Sequence, residues 1–174
     1  MALTLYAATI PTYLQVLGSV AQMIAKAESF CSEQHLSADT LLQARLADDM
    51  LPFAYQVKST AVHSIGAIEG VRKGVFSPDM TPAPDSFDGL KDCVAKAAAA
   101  LESLDPAEIE SFIGQPACFE FGEHRINFVA EEFLLSFSQP NFYFHATTAY
   151  SILRMKGVEV GKRDFLGRMR MMTS

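Results

Sequence analysis

Apolar side chains recur at helical spacing along most of this chain. Ile10, Leu14, Leu17, Val20, Ala21 and Ile24 share one face of a first helix running to about Phe30. Pro11 either opens that helix or kinks it. Ser37 can cap a short second helix through Leu46, since its hydroxyl can accept from a free N–H of the first turn. Pro52 suits the first turn of a long helix, with Phe53, Val57, Thr60, Ser64, Ile68 and Val71 along its inner side. Gly74 stops it. Residues 75–86, with Pro78, Pro82 and Pro84, read as a loop. Ser86 caps a third long helix to about Leu104, with Leu90, Val94, Ala97 and Leu101 turned inward. Asp105-Pro106 starts a short helical turn that ends near Gly114.

The period then changes. Over residues 117–128, Cys118, Phe119, Phe121, Ile126 and Phe128 flank Gly122-Glu123, the pattern of two short strands around a tight turn. Asn127 can cap a helical segment from Val129 to Phe137, which Pro140 interrupts. A last helix reaches Lys156, where Gly157 followed by apolar Val158 suits a left-handed C-terminal cap. Long segments of about 20 residues, roughly 30 Å each, suit an antiparallel bundle. The expected fold is all-α: a four-helix bundle with a small β-hairpin insertion before the last helix. No linker is long enough to divide the chain, so residues 1–174 form one domain.

Composition narrows the function classes. Hydrophobic residues make up 49% and charged residues 20%, which argues against disorder and for an apolar interface in a homodimer. A net charge of −6 with no basic run before the Lys162–Arg170 tail argues against a nucleic-acid partner. That tail reads as a solvated end or a packing segment. Residues 2–25 carry no charge, but Thr9, Thr12, Gln15, Ser19 and Gln22 interrupt them. A core-facing helix explains that stretch better than a membrane span. Cys31, Cys93 and Cys118 are widely spaced, with no Cys-x-x-Cys, which fits a reducing, cytoplasmic setting.

Polar residues at inward positions carry the candidate chemistry. Asn141, His145 and Thr148 share one face of the last helix, and Gln56 and His63, seven apart, share a face of the Pro52 helix. If these faces meet, the interior holds two imidazoles and two amides, a candidate ligand pocket of Gln56, His63, Asn141 and His145. The plainer reading is a hydrogen-bonded core network, with Asn141 serving only its own first turn. Amide oxygens are poor partners for zinc, nickel or iron, so no cofactor is expected, with a divalent metal as the alternative. Asp48 and Asp49 read as an exposed turn, and His124 as part of the strand-to-strand turn. The cysteines have no histidine at a spacing that implies a nucleophile pair, and no phosphate-binding glycine loop is present.

The run Gln139-Pro-Asn-Phe-Tyr-Phe-His-Ala-Thr-Thr-Ala-Tyr-Ser-Ile-Leu153 and the later Gly157-Val-Glu-Val-Gly-Lys-Arg-Asp-Phe-Leu-Gly167 resemble the domain of unknown function family DUF1993. Leu42-Gln-Ala-Arg-Leu46 and Asp49-Met-Leu-Pro-Phe53 resemble it too. The family is similar to the DinB/YfiT-like metalloenzyme superfamily. That resemblance implies an up-down-down-up bundle. It also implies a metal site whose three histidine positions correspond here to Gln56, Asn141 and His145, and relatives with thiol-transferase chemistry. Three functional classes follow: a ligand-binding or enzyme-like pocket, a non-catalytic dimeric structural or stress-related bundle, and a metal-dependent transferase or hydrolase.

Overall fold

The computed structural model describes residues 3–172. Helix α1 spans Leu5–Glu33 and carries Pro11 within it, so the proline neither opens nor breaks the helix. Thr4 caps its start, and the Glu110 carboxylate accepts from the backbone N–H groups of Leu5 and Tyr6 at 3.2 and 2.8 Å. A carboxylate there satisfies donors that have no partner in the first turn and complements the helix dipole. Tyr13, Val16, Leu17, Val20, Met23, Ile24 and Ala27 are buried, whereas Leu14 is half-buried at the edge of the core. The second helix is shorter than expected. It covers only Asp39–Leu42, with the Ser37 hydroxyl accepting from the Asp39 N–H at 3.3 Å. Asp48 and Asp49 lie in an exposed turn beyond it.

The Pro52 helix comprises α3 (Phe53–Ala61), a π-helical turn (Val62–Gly66) and α4 (Ala67–Lys73). Gly74 ends it at φ 76°, a left-handed conformation in which a side chain would be strained. The segment read as a loop then contains a strand, β1 (Val75–Phe76). Ser86 caps α5 (Phe87–Glu102) through the Gly89 N–H, and Asp105 caps α6 (Pro106–Ser111) through the Ala107 N–H.

Strands β2 (Pro116–Phe121) and β3 (His124–Val129) pair antiparallel across Gly122-Glu123. β1 adds to β2 in parallel, with Phe76 opposite Phe119, so the sheet has three strands and the domain is mainly helical rather than all-α. Two residues are too few for a periodicity to show, which is why β1 reads as loop. Asn127 lies opposite Cys118 within the ladder and caps nothing; the helix starts after Val129.

Pro140 does not interrupt the last helix. α7 (Ala130–Glu132), a second π-helical turn (Phe133–Ser138) and α8 (Gln139–Met155) follow without a gap. A proline near the start of α8 removes only an N–H that the wider π turn leaves free. Lys156, with Gly157 at φ 86°, ends α8, and the Val158 N–H returns to the Leu153 carbonyl at 3.0 Å. The basic tail forms α9 (Lys162–Leu166). It packs on α1 through a Lys26–Asp164 ion pair of 2.7 Å and a Gln15 amide bond to the Leu166 carbonyl.

α1 packs against α5 and α8, and α3 packs against the same two helices. The core lies between them, and Leu17, Ile24, Val57, Ile68, Leu90, Leu101 and Ile152 are fully enclosed. No helix among the described residues is long and apolar enough to cross a membrane. Leu17→Ala removes a side chain that is 0% exposed and should destabilise the fold by about 2–5 kcal/mol in urea unfolding. A loss below about 0.5 kcal/mol, the size of an ordinary surface change, would place Leu17 outside the core.

Candidate functional site

Two residues seven apart on a helix lie two turns apart on nearly the same side. α3 and its π turn present Gln56 and His63 in this way. The opposing helix presents Ser138 and His145 at the same interval. The two helices meet so that each histidine faces the polar partner of the other. His145 Nδ1 lies 2.7 Å from Gln56 Oε1, and His63 Nδ1 lies 3.2 Å from Ser138 Oγ.

The surrounding bonds decide the direction of each contact. The Gln56 amide nitrogen donates to the Leu51 carbonyl at 2.8 Å, which turns Oε1 toward His145. His145 therefore donates from Nδ1. The Ser138 hydroxyl donates to the His63 carbonyl at 3.1 Å, so its one proton is committed, and His63 must likewise donate from Nδ1. Each ring keeps Nε2 as its lone-pair nitrogen. Ser138 and His63 belong to the two π turns, which the same hydroxyl joins. Gln56 and Ser138 are buried, while both imidazoles are half-buried.

The rings stack on each other, with centroids 5.6 Å apart and planes within 17°. Phe76 and Phe137 flank His63, and Tyr55 and Phe144 meet His145 edge-on. Removal from water disfavours the imidazolium and lowers both pKa values from the usual 6.5 to about 4; for His63 the neighbouring His145 pushes the same way. Among the described residues no carboxylate pairs with either ring to offset this. Both rings are neutral at neutral pH.

Of the four residues singled out in the sequence, Gln56, His63 and His145 come together. Asn141 lies one turn before His145, and its amide donates to the Phe137 carbonyl of its own helix at 2.8 Å. Thr148 similarly bonds the Phe144 carbonyl. Sequence reasoning misses Ser138, although its spacing to His145 equals that from Gln56 to His63. Its place just before Pro140 makes it resemble part of a break. His124 is exposed at the turn, and the three cysteines are free, with Cys93 half-buried.

The metal implied by the superfamily resemblance does not fit these residues. Two of the three implied positions, Gln56 and Asn141, offer only amide oxygens, which are weak ligands for zinc, nickel or iron, and Gln56 Oε1 already accepts from the His145 N–H. Among the described residues no three His, Cys, Asp or Glu side chains gather into a metal-holding group.

This arrangement sits in a mainly helical domain of DinB-like fold. A solved DinB family member protein from Shewanella denitrificans aligns over 98% of this chain and 96% of its own, with a TM-score of 0.81 and 26% identity. The family model described as domain of unknown function DUF1993 matches residues 5–166, and the chain belongs to that family. No curated protein matches the chain.

The histidine pair gives stability a definite pH dependence. Unfolded, each ring titrates near 6.5; folded, near 4, so the unfolded chain binds more protons between those values. The contribution is fully present above the unfolded pKa and is lost as pH falls from about 6.5 toward about 4. Each tenfold difference in proton affinity between the two states is worth about 1.4 kcal/mol. His145→Gln should therefore flatten the acid limb of stability measured by urea unfolding across that window. A wild-type and variant pair with parallel pH profiles would show that His145 is not held neutral.

Proposed function

We propose that this DUF1993 protein binds a small molecule at the crossed histidine pair between α3 and α8. One observation carries the reading: two stacked neutral imidazoles, each held at Nδ1 by the opposite helix, keep two Nε2 lone pairs for an outside donor. Both histidines are half-buried rather than enclosed, which supports access to the pair. The aromatic rings of Tyr55, Phe137 and Phe144 supply the apolar surround that small-molecule sites use. The complementary ligand carries N–H or O–H donors on an apolar or aromatic body. Imidazoles with pKa values near 4 are weak bases, which supports recognition over proton abstraction.

The helix packing supports an up-down-down-up four-helix bundle as the frame. Gln56 meets His145 while His63 meets Ser138, as in antiparallel neighbours. Gln139 bonds the Ala8 carbonyl while Phe142 packs on Tyr13, as in parallel ones. The Lys91–Glu28 pair, and Glu110 at the start of α1, fit antiparallel α1 and α5. A homodimer built on apolar surface is the second reading. Tyr143 and Phe144 favour it, at 37% and 54% exposure near the start of α8. On either reading the protein holds no resident metal, because the donor set is wrong for one, and the free thiols suit the cytoplasm. A metal-dependent transferase or hydrolase has the least support.

Long-range proton–nitrogen NMR tests the site. At neutral pH both histidines should be in the Nδ1–H form, and fragments bearing N–H donors should move the Nε2 resonances. Nε2–H tautomers, or a fragment library that leaves both Nε2 signals untouched, would remove the basis for ligand binding. Elemental analysis of the same preparation should find no stoichiometric zinc, nickel or iron, and light scattering should give twice the monomer mass. Bound metal lost in His145→Ala would favour the metalloenzyme reading, and a monomer at high protein concentration would refute the dimer.

A further inference from the structure

A concavity lies apart from the histidine pair, between α4 with β1 on one side and α5 on the other. It is a cleft of about 650 Å³, within the usual range for small-molecule sites. Its origin is in residue size. Gly66 and Gly70 on one helix face Ala97 and Ala100 on the other, so two neighbouring helices leave a trough. Gly70 also brings β1 in close. A Cβ there would stand 2.7 Å from the Phe76 Cβ, so Phe76 forms one end of the trough.

The outer wall is the segment after β1, and a nearly buried lysine holds it. Lys58 is 5% exposed and donates to the Asp79 carbonyl at 3.0 Å, the Thr81 hydroxyl at 2.9 Å and the Thr81 carbonyl, while pairing with the Asp79 carboxylate at 3.2 Å. An ammonium removed from water this far is tolerated only with such full bonding. The wall is thus a fixed part of the cleft.

Charge identifies the occupant. Asp79 lines the cleft, but its carboxylate is neutralised by Lys58 and also accepts from the Thr81 N–H and hydroxyl. Glu69 lies one helical turn from Arg72, whose guanidinium it helps to stabilise. Lys73 and Lys96, both on the rim, are in no ion pair among the described residues. Glu69 is likewise in no ion pair among the described residues, so the rim sets two free lysines against one free carboxylate. An apolar trough with that excess positive charge complements an apolar body ending in one anion. We propose that this cleft is a binding site for an apolar monocarboxylate, whose carboxylate sits between Lys73 and Lys96 and whose chain lies over Ala97 and Phe76.

Cys93 reports on occupancy, because it lines the cleft and is half-buried while Cys31 and Cys118 are buried. The experiment uses the full chain, decanoate as probe, calorimetry for affinity and iodoacetamide alkylation of Cys93 for location. Decanoate should bind and abolish alkylation of Cys93. Lys96→Glu, an exposed change that leaves the core intact, should weaken decanoate by about tenfold, the effect of roughly 1.4 kcal/mol. Decanol should bind the wild type at least tenfold more weakly than decanoate, about the same loss. Ala97→Leu, which fills the trough, should abolish binding. Decanoate should leave the Nε2 resonances of His63 and His145 unmoved, so the cleft and the histidine site are tested separately. Absence of decanoate binding, binding without protection of Cys93, equal affinity for decanol, or decanoate shifts confined to the two Nε2 signals would each overturn the proposal.

Discussion

The pairing of Gln56 with His145 and of His63 with Ser138 is the constraint around which the rest of the domain is arranged. The buried Thr60, Ser64 and Thr148 hydroxyls donate to carbonyls of their own helices, whereas four polar side chains are paired between two helices. Each would cost free energy if left without a partner, since a buried donor or acceptor loses its bonds to water. The crossed pattern satisfies both Nδ1 atoms at once, and only in one helix register. Sliding either helix by a turn would break both bonds together. The network therefore selects a single alignment of α3 with α8, which the non-directional packing of Val57, Ile68 and Ile152 could not select alone.

That alignment has consequences along the chain. The helices carrying the network each widen into a π turn, at Val62–Gly66 and Phe133–Ser138, and the Ser138 hydroxyl joins one to the other. A π turn adds a residue to the local ladder and re-aims the side chains that follow. The small sheet closes over this region. Phe76 from β1, Phe119 from β2 and Phe128 from β3 pack with Phe133 and Phe137 beside His63. Phe76 also lines the α4–α5 cleft, so one ring both packs on His63 and borders that cleft.

The long helices are legible in the sequence because their signals are local and repeated. Apolar spacing, the Ser86 and Asp105 caps, and Gly74 and Gly157 as stops each act within one or two turns. The two-strand reading around Gly122-Glu123 succeeds on the same grounds. What fails depends on distant partners. β1 exists because β2 lies beside it, and Asn127 is a strand residue because Cys118 is opposite. Pro140 reads as a break because a helix normally cannot absorb a proline, and nothing local announces a π turn. At the site, the seven-residue spacing on each helix is readable. Which residues face each other is not, because that follows from the packing direction of helices some ninety positions apart.

The chemistry of the partners also sets what the histidines can be. Gln56 and Ser138 accept hydrogen bonds without carrying charge. A carboxylate at either place would favour the imidazolium and offset the desolvation that lowers the pKa. With neutral acceptors nothing offsets it, so both rings stay uncharged and fixed as Nδ1 donors. The same Gln56 oxygen that accepts from His145 is an amide oxygen, a weak donor toward zinc, nickel or iron. The amide at position 56 thus serves as an uncharged anchor that holds the His145 Nδ1–H and leaves Nε2 as that ring's lone-pair nitrogen.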